Sequence, residues 1–205
     1  MTASANSLLV ILLHGVGSNG ADLAPLGKSW EPRLPGVVFV SPNAPENSSF
    51  GAGYQWFSVA GVTEEDRPAR ITAARSAFDT VISTIVEENG FADHLDRVVL
   101  VGFSQGTIMS LDAVASGRWP VAAVIGFSGR LASAHPLKPS TATKVLLVHG
   151  TSDSVIPSWE TEKAATELKT LGMSVETIIE PGLGHTISIG GADRACDFLE
   201  ALVKG

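Results

Sequence analysis

Six short runs of Val, Ile and Leu recur along the chain, at Leu8–Leu13, Val37–Val40, Val98–Val101, Val121–Ile125, Val145–Val148 and Val175–Ile179. Most are continuous rather than alternating. A strand reads that way when both of its faces are covered, which is the condition of a parallel sheet between helical layers. The intervening sequence supplies the helices. From Arg67 to Glu87 the apolar residues Ile71, Ala74, Phe78, Val81, Ile82, Ile85 and Val86 fall at three- and four-residue steps and make one face. Glu64, Glu65 and Asp66 precede its first turn, and Pro68 suits a helix start. Further helices are expected over Gln105–Ser116, over Glu160–Leu171 with Gly172 as the stop, and over Ala192–Val203. Strands alternating with helices predict a three-layer α/β fold with a mostly parallel sheet of about six strands.

The chain's 205 residues suit one domain over 1–205, and folding should bury roughly 70% of the surface that the extended chain exposes. With 44% hydrophobic and 17% charged residues and a mean hydropathy of +0.24, disorder is excluded. One cysteine excludes a disulfide framework within the chain. A formal charge of −7 argues against a nucleic-acid partner, which calls for a basic face. The longest aliphatic run, Leu8–Leu13, falls far short of the roughly 20 residues a bilayer span needs. Residues 1–7 carry no Lys or Arg and no small-residue cleavage site follows, so a cytoplasmic protein without stable membrane insertion is expected. One connection, Pro42 to Asp66, is long enough to be functional and holds Tyr54, Trp56 and Phe57. The stretch from Ser128 to Lys144 leaves no room for a large lid domain.

The chemistry centres on Val98-Val-Leu-Val-Gly102-Phe-Ser104-Gln-Gly106, a strand that runs through G-x-S-x-G into a helix. A serine on so sharp a turn projects Oγ above the sheet, and small neighbours avoid clashes there. The new helix aims backbone N–H groups and its positive dipole end at the same place. Such a serine needs a base, and the base an orienting group, in the chain order Ser, Asp or Glu, His. The run Lys144–Val148 leads into His149-Gly-Thr-Ser-Asp153, and Val175–Ile179 leads into Glu180-Pro-Gly-Leu-Gly-His185. Asp153 and His185 are thus expected beyond the carboxyl ends of successive strands, where open parallel sheets gather their active groups. The backbone N–H of Gln105 is a candidate oxyanion donor, and a second is expected from the loop His14-Gly-Val16-Gly-Ser-Asn-Gly20.

Taken together, His14-Gly-Val-Gly-Ser-Asn-Gly-Ala-Asp-Leu23, Ser41-Pro-Asn-Ala-Pro-Glu46, Gln55-Trp-Phe57, Gly102-Phe-Ser-Gln-Gly106, His149 through Pro157 and Gly184-His185 resemble the phospholipase/carboxylesterase family of α/β hydrolases. That family includes bacterial carboxylesterases and acyl-protein thioesterases. The resemblance covers nearly the whole chain, with the motifs in the family's order. It implies an α/β-hydrolase fold, Ser104 as nucleophile, Asp153 as orienting group and His185 as base. It also implies Val16 and Gln105 as the oxyanion hole, and a substrate pocket that includes Tyr54, Trp56, Phe57, Val155 and Ile156. Relatives, thioesterases especially, carry Leu and an acidic residue in the His-Gly loop where this chain has Val16, Ser18 and Asn19, and the family's leading strands look shortened or absent before His14.

Other readings stand beside these. Gly126-Phe-Ser128-Gly129 imitates the serine motif, but Arg130 replaces its second glycine, so Ser128 is read as a strand-end residue near the site. His14 and His149 precede glycines at strand ends and are read as shaping turns, while His94 and His135 are read as solvated. Cys196 shares an apolar stripe with Ala195, Leu199 and Leu202 and is read as a core residue. Tyr54, Trp56 and Phe57 are either a core of their own loop or a pocket wall, and the wall is preferred. No metal pattern is present. Gly15, Gly17 and Gly20 match a dinucleotide-binding fingerprint, yet the acidic residue that reading requires after the second strand is missing. The expected function is that of a serine carboxylesterase for short- to medium-chain esters, working through an acyl-enzyme. An acyl-thioesterase or lysophospholipase is the alternative on the same residues, and a dinucleotide-dependent oxidoreductase the alternative outside hydrolysis. No cofactor is expected, and the partners are a small-molecule ester and, on assembly, a second copy in a homodimer.

Overall fold

Each of the six apolar runs contributes a strand to one sheet. The computed structural model describes residues 8–204. In chain order the elements are β1 (Leu9–Leu13), α1 (Gly20–Trp30), β2 (Val38–Val40), β3 (Glu46–Asn47), β4 (Tyr54–Gln55), α2 (Arg67–Glu88), a 3-10 turn (Leu95–Arg97), β5 (Val98–Phe103), α3 (Gln105–Ala115), β6 (Ala123–Phe127), β7 (Lys144–Gly150), α4 (Trp159–Thr170), β8 (Ser174–Glu180) and α5 (Ile189–Lys204). The main sheet has the order β2-β1-β5-β6-β7-β8, and every neighbouring pair is parallel.

The continuous apolar runs follow from two buried faces. Leu9, Ile11, Leu13, Val98, Leu100, Val124, Val145 and Leu147 point into a core shared with α2, α3 and α4, where Ile71, Phe78, Ile82, Met109 and Leu168 meet them. The alternate residues Val10, Leu12, Val99, Val101, Ile125, Leu146 and Val148 point the other way, onto Trp30 of α1 and Ala195, Cys196 and Leu199 of α5. Each such side chain contributes roughly 1.5–3 kcal/mol on burial, so both strand faces hold the layers together. The three layers of an α/β hydrolase are the result.

The strand order reverses once. From β2 the chain returns past β1 to lay down β5 on its other side, and it then builds outward. Ligands of open parallel sheets bind at such a reversal, beyond the carboxyl ends of the strands. Here Leu13 of β1 stands in register with Gly102 of β5, so the loops that follow them meet.

The structure departs from the sequence expectations in three places. β6 starts at Ala123 rather than Val121, because the Val121 N–H bonds to Trp119 O in the preceding turn. The segment before the second strand forms a full helix, α1, despite Gly20, Pro25 and Gly27. The long connection from Pro42 to Asp66 is partly ordered as a β3–β4 antiparallel ribbon, and Tyr54 bridges from it to Ser18 of the loop after β1. Residues 128–143 contain no helix, and Leu131, Ala132 and Leu137 lie against the core.

Candidate active site

Ser104 stands between β5 and α3 with φ +52° and ψ −112°. An L-residue enters that region only where its surroundings force it. The two glycines of the motif explain how the turn closes. A Cβ on Gly102 would lie 2.3 Å from Thr107 N, and one on Gly106 would lie 1.9 Å from Leu13 O. Only glycine lets α3 fold back this closely against β5 and β1. The Ser104 N–H is held by Phe127 O of β6 at 2.9 Å, which anchors the turn to the next strand.

Two further loops bring their side chains to the same rim. Asp153 follows β7 and His185 follows β8, and the loops are tied to each other by Thr151 N–H to Glu180 O and Ser152 N–H to Leu183 O, both at 2.9 Å. His185 Nε2 lies 3.0 Å from Ser104 Oγ, and His185 Nδ1 lies 2.7 Å from Asp153 Oδ2. The other carboxylate oxygen, Oδ1, accepts the Val155 and Ile156 N–H groups at 2.8 and 2.9 Å. Burial works against ionisation of Asp153. The hydrogen bonds from His185, Ile156 and Val155 outweigh it and hold the carboxyl below the usual range. The Phe103 ring flanks the imidazole of His185, with centroids 5.0 Å apart.

On the other side of Ser104 lies the loop after β1. A Cβ on Gly15 would approach Ser104 Cβ to 3.3 Å, so this backbone runs beside the serine. The ribbon fastens it: Gly17 N–H bonds to Tyr54 O, Tyr54 N–H to Ser18 O and Trp56 Nε1–H to His14 O, all within 2.9 Å. His14 is buried, and its Nε2 accepts the Ala44 N–H at 2.9 Å. Burial pushes its pKa below the ordinary histidine value. The residue after Ser104 completes the clamp. Gln105 Oε1 accepts the Trp56 N–H at 2.8 Å and Nε2 donates to Phe57 O at 2.7 Å. Sequence reasoning used only the backbone of Gln105. The Gln105 N–H opens α3 and so has no acceptor within the helix, and Val16 is exposed at the tip of its loop.

The residues expected at the substrate pocket divide. Val155 is exposed beside Asp153, and Tyr54 is half-buried against His14. Trp56, Phe57 and Ile156 are buried in the core cluster, and Phe57 also lines a cleft with Glu46, Ser58 and Arg70. The long connection carries its own apolar anchor: Trp56 packs edge-on against Phe78 of α2. The cleft that adjoins Ser104 has a volume of about 250 Å³ and is lined by Leu23, Phe103, Ile187 and Thr186 together with Ser18 and Asp22. Leu23 and Asp22 belong to α1, the helix that the sequence hid.

The glycine fingerprint of a dinucleotide site is also corrected. A pyrophosphate would need the amino end of α1, but that position holds the Asp22 carboxylate, which accepts from Ser18 Oγ at 2.8 Å and Asn19 Nδ2 at 2.9 Å. Gly20 serves packing, since a Cβ there would lie 2.0 Å from Ser41 O. Ser128 is buried next to β7, with its N–H on Val148 O. His94 and His135 are exposed, and Cys196 is buried in α5. His149 is not a free turn residue: it is buried against Asp153.

Comparison with known proteins agrees with this architecture. The phospholipase/carboxylesterase family matches residues 2–203. The esterase YpfH of Escherichia coli is 36% identical over 191 residues, covering 93% of this chain and 81% of its own length. Acyl-protein thioesterase 1 of Gibberella zeae is 30% identical over 218 residues, covering 96% and 91%. The crystal structure of esterase PE8 superposes with a TM-score of 0.87 at 35% identity, covering 98% of this chain and 95% of that one. With the fold, the serine turn and these relatives in agreement, the chain belongs to the phospholipase/carboxylesterase family of α/β hydrolases and is a serine hydrolase of carboxylic esters.

Proposed function

We propose that the chain is a carboxylesterase that cleaves short- to medium-chain esters through a triad of Ser104, His185 and Asp153. The observation that carries this reading is the hydrogen-bonded row from Asp153 through His185 to Ser104, at 2.7 and 3.0 Å, with the serine on its strained turn. Asp153 keeps the His185 proton on Nδ1, which leaves Nε2 free to take the proton of Ser104 Oγ as the oxygen attacks the ester carbonyl. The oxyanion that forms accepts hydrogen bonds from the Val16 and Gln105 N–H groups, and loss of one such donor costs about 3–4 kcal/mol of transition-state stabilisation. His185 then returns the proton to the leaving alcohol. Water repeats the sequence on the acyl-serine and frees the acid.

Residues 128–143 contain no helix that could form a large lid over the site, which supports small esters that bind without one. A fluorophosphonate probe should label the parent protein and not Ser104→Ala. Among p-nitrophenyl esters, acetate and butyrate should be cleaved with higher kcat/KM than palmitate. A preference for palmitate would overturn the chain-length reading and leave the triad standing. The thioesterases among the relatives give the alternative reading its support. Acyl thioesters of matched chain length decide between the two, with oxygen esters expected to have the higher kcat/KM.

A further inference from the structure

We propose that His149 is a positioning residue for the Asp153 carboxylate, and that Thr161 holds it in that role. The inference rests on the triad reading above and adds to it a second imidazole, bonded to the same Asp153 oxygen as His185. His149 lies near the end of β7, and its side chain is fully buried. Its Nε2 lies 3.0 Å from Asp153 Oδ2 and 2.8 Å from Ile156 O. Both neighbours are acceptors: a carbonyl oxygen has no proton, and Asp153 is held in its ionised form. Nε2 therefore carries the ring proton and shares it between them. On the opposite edge, Nδ1 lies 2.7 Å from Thr161 Oγ1 in the first turn of α4. The Thr161 hydroxyl has two acceptors within reach, Nδ1 at 2.7 Å and Gly129 O at 3.5 Å; it donates to the nearer one, Nδ1, and so fixes both the ring's tautomer and its angle.

Asp153 then has two donors on each oxygen. Oδ1 accepts the Val155 and Ile156 N–H groups, and Oδ2 accepts His185 Nδ1–H and His149 Nε2–H. Without His149, the carboxylate would be fixed at Oδ1 alone and free to pivot about it. Oδ2 would keep a single partner, the half-buried His185 ring whose orientation Asp153 itself must set. A support that depends on the group it supports is no support. His149 supplies a reference built into the sheet: a ring on β7, bonded to α4, that aims Oδ2 at His185. The same N–H holds Ile156 O, while the Ile156 N–H holds Oδ1. The turn from Asp153 to Ile156 is thereby gripped at both ends. Nothing in the arrangement touches the ester, so its effect should fall on turnover and not on substrate binding.

The test uses the full chain with p-nitrophenyl butyrate, and Ser104→Ala as control. His149→Leu removes the donor, and kcat should fall by on the order of 10- to 100-fold, as small misplacements of catalytic groups do, with KM unchanged. His149→Gln returns an amide N–H at about the depth of Nε2 and should recover most of the loss. Thr161→Val removes the hydroxyl that holds the ring and should lower kcat in the same direction by less. A folded His149→Leu protein with parental kcat overturns the proposal, as does a glutamine variant no better than the leucine one. Should neither His149 variant fold, parental kcat in Thr161→Val overturns it instead. An active Ser104→Ala would mark a different failure, that of the triad reading itself.

Discussion

Ser104 occupies a backbone region that glycine adopts freely and other L-residues adopt at a cost of about 1–3 kcal/mol. The strain persists because the surroundings leave no alternative: Gly106 lies against Leu13 O, Gly102 against the start of α3, and the Ser104 N–H is bonded to β6. Two substitutions separate chemistry from strain. Ser104→Ala keeps the Cβ and should lose nearly all turnover, about a millionfold in kcat for a nucleophile of this kind. Ser104→Gly is equally inactive but relieves the conformation. After subtraction of the entropy that glycine adds to the unfolded chain, about 1 kcal/mol of stabilisation remains, and the glycine variant should melt roughly 2–4 °C above the alanine variant. Calorimetry of the two inactive proteins side by side measures the difference. Equal melting temperatures would show that the turn stores no strain.

At the scale of elements, α2 and α3 are joined beneath the site by a buried carboxylate. Asp112 of α3 is fully buried and takes Arg75 of α2 in a bidentate pair at 2.8 and 2.9 Å, with Arg118 at 3.0 Å. Arg118 and the Trp119 indole also bind Asp79 of α2. Burial opposes the charge on Asp112, and its hydrogen bonds and neighbouring arginines outweigh that and keep its carboxyl below the ordinary range. The side chains of Arg75 and Arg118 are 22% and 21% exposed, so on loss of Asp112 they reach water in part. Asp112→Ala should therefore cost about 3 kcal/mol, the low end for a broken buried pair, and lower the melting temperature by roughly 6–12 °C. The same scale shows which parts of the fold were legible in the sequence. The strands were, because burial on both faces leaves an unbroken apolar signature in Leu9–Leu13 and Val98–Val101. The turn at Ser104 was, because its steric demands admit only glycine at 102 and 106. Helix α1 was not: a Cβ on Gly27 would lie 3.1 Å from the side chains of Leu12 and Phe39 and Gly20 packs on Ser41, so close approach to the sheet selects residues that read as helix breakers. The contacts of His149 and of the Gln105 side chain were also hidden, since they depend on loops meeting across the sheet and not on any local spacing.

For the whole molecule, these buried groups fix how stability responds to acid. The His14 ring is neutral in the fold, where Nε2 accepts the Ala44 N–H, and burial holds its pKa below that of the unfolded chain. As pH falls below about 6.5, the unfolded state takes up the proton first, and the stability tied to neutral His14 is lost between that point and the lower pKa of the folded state. Asp153 and Asp112 act further down. Their folded pKa values are depressed, so their contribution is complete above about pH 4 and disappears as pH falls through the folded values. The urea midpoint should therefore decline gently from pH 6.5 and steeply below pH 4. His14→Asn keeps an N–H that can reach Gly15 O and has nothing to titrate. Its deficit against the parent should be largest at pH 8 and should narrow as the pH is lowered to 4.5, because only the parent loses stability there. A deficit constant over that range would mean that His14 takes up its proton as readily in the fold as in the unfolded chain, and that the loop beside Ser104 does not depend on a neutral ring.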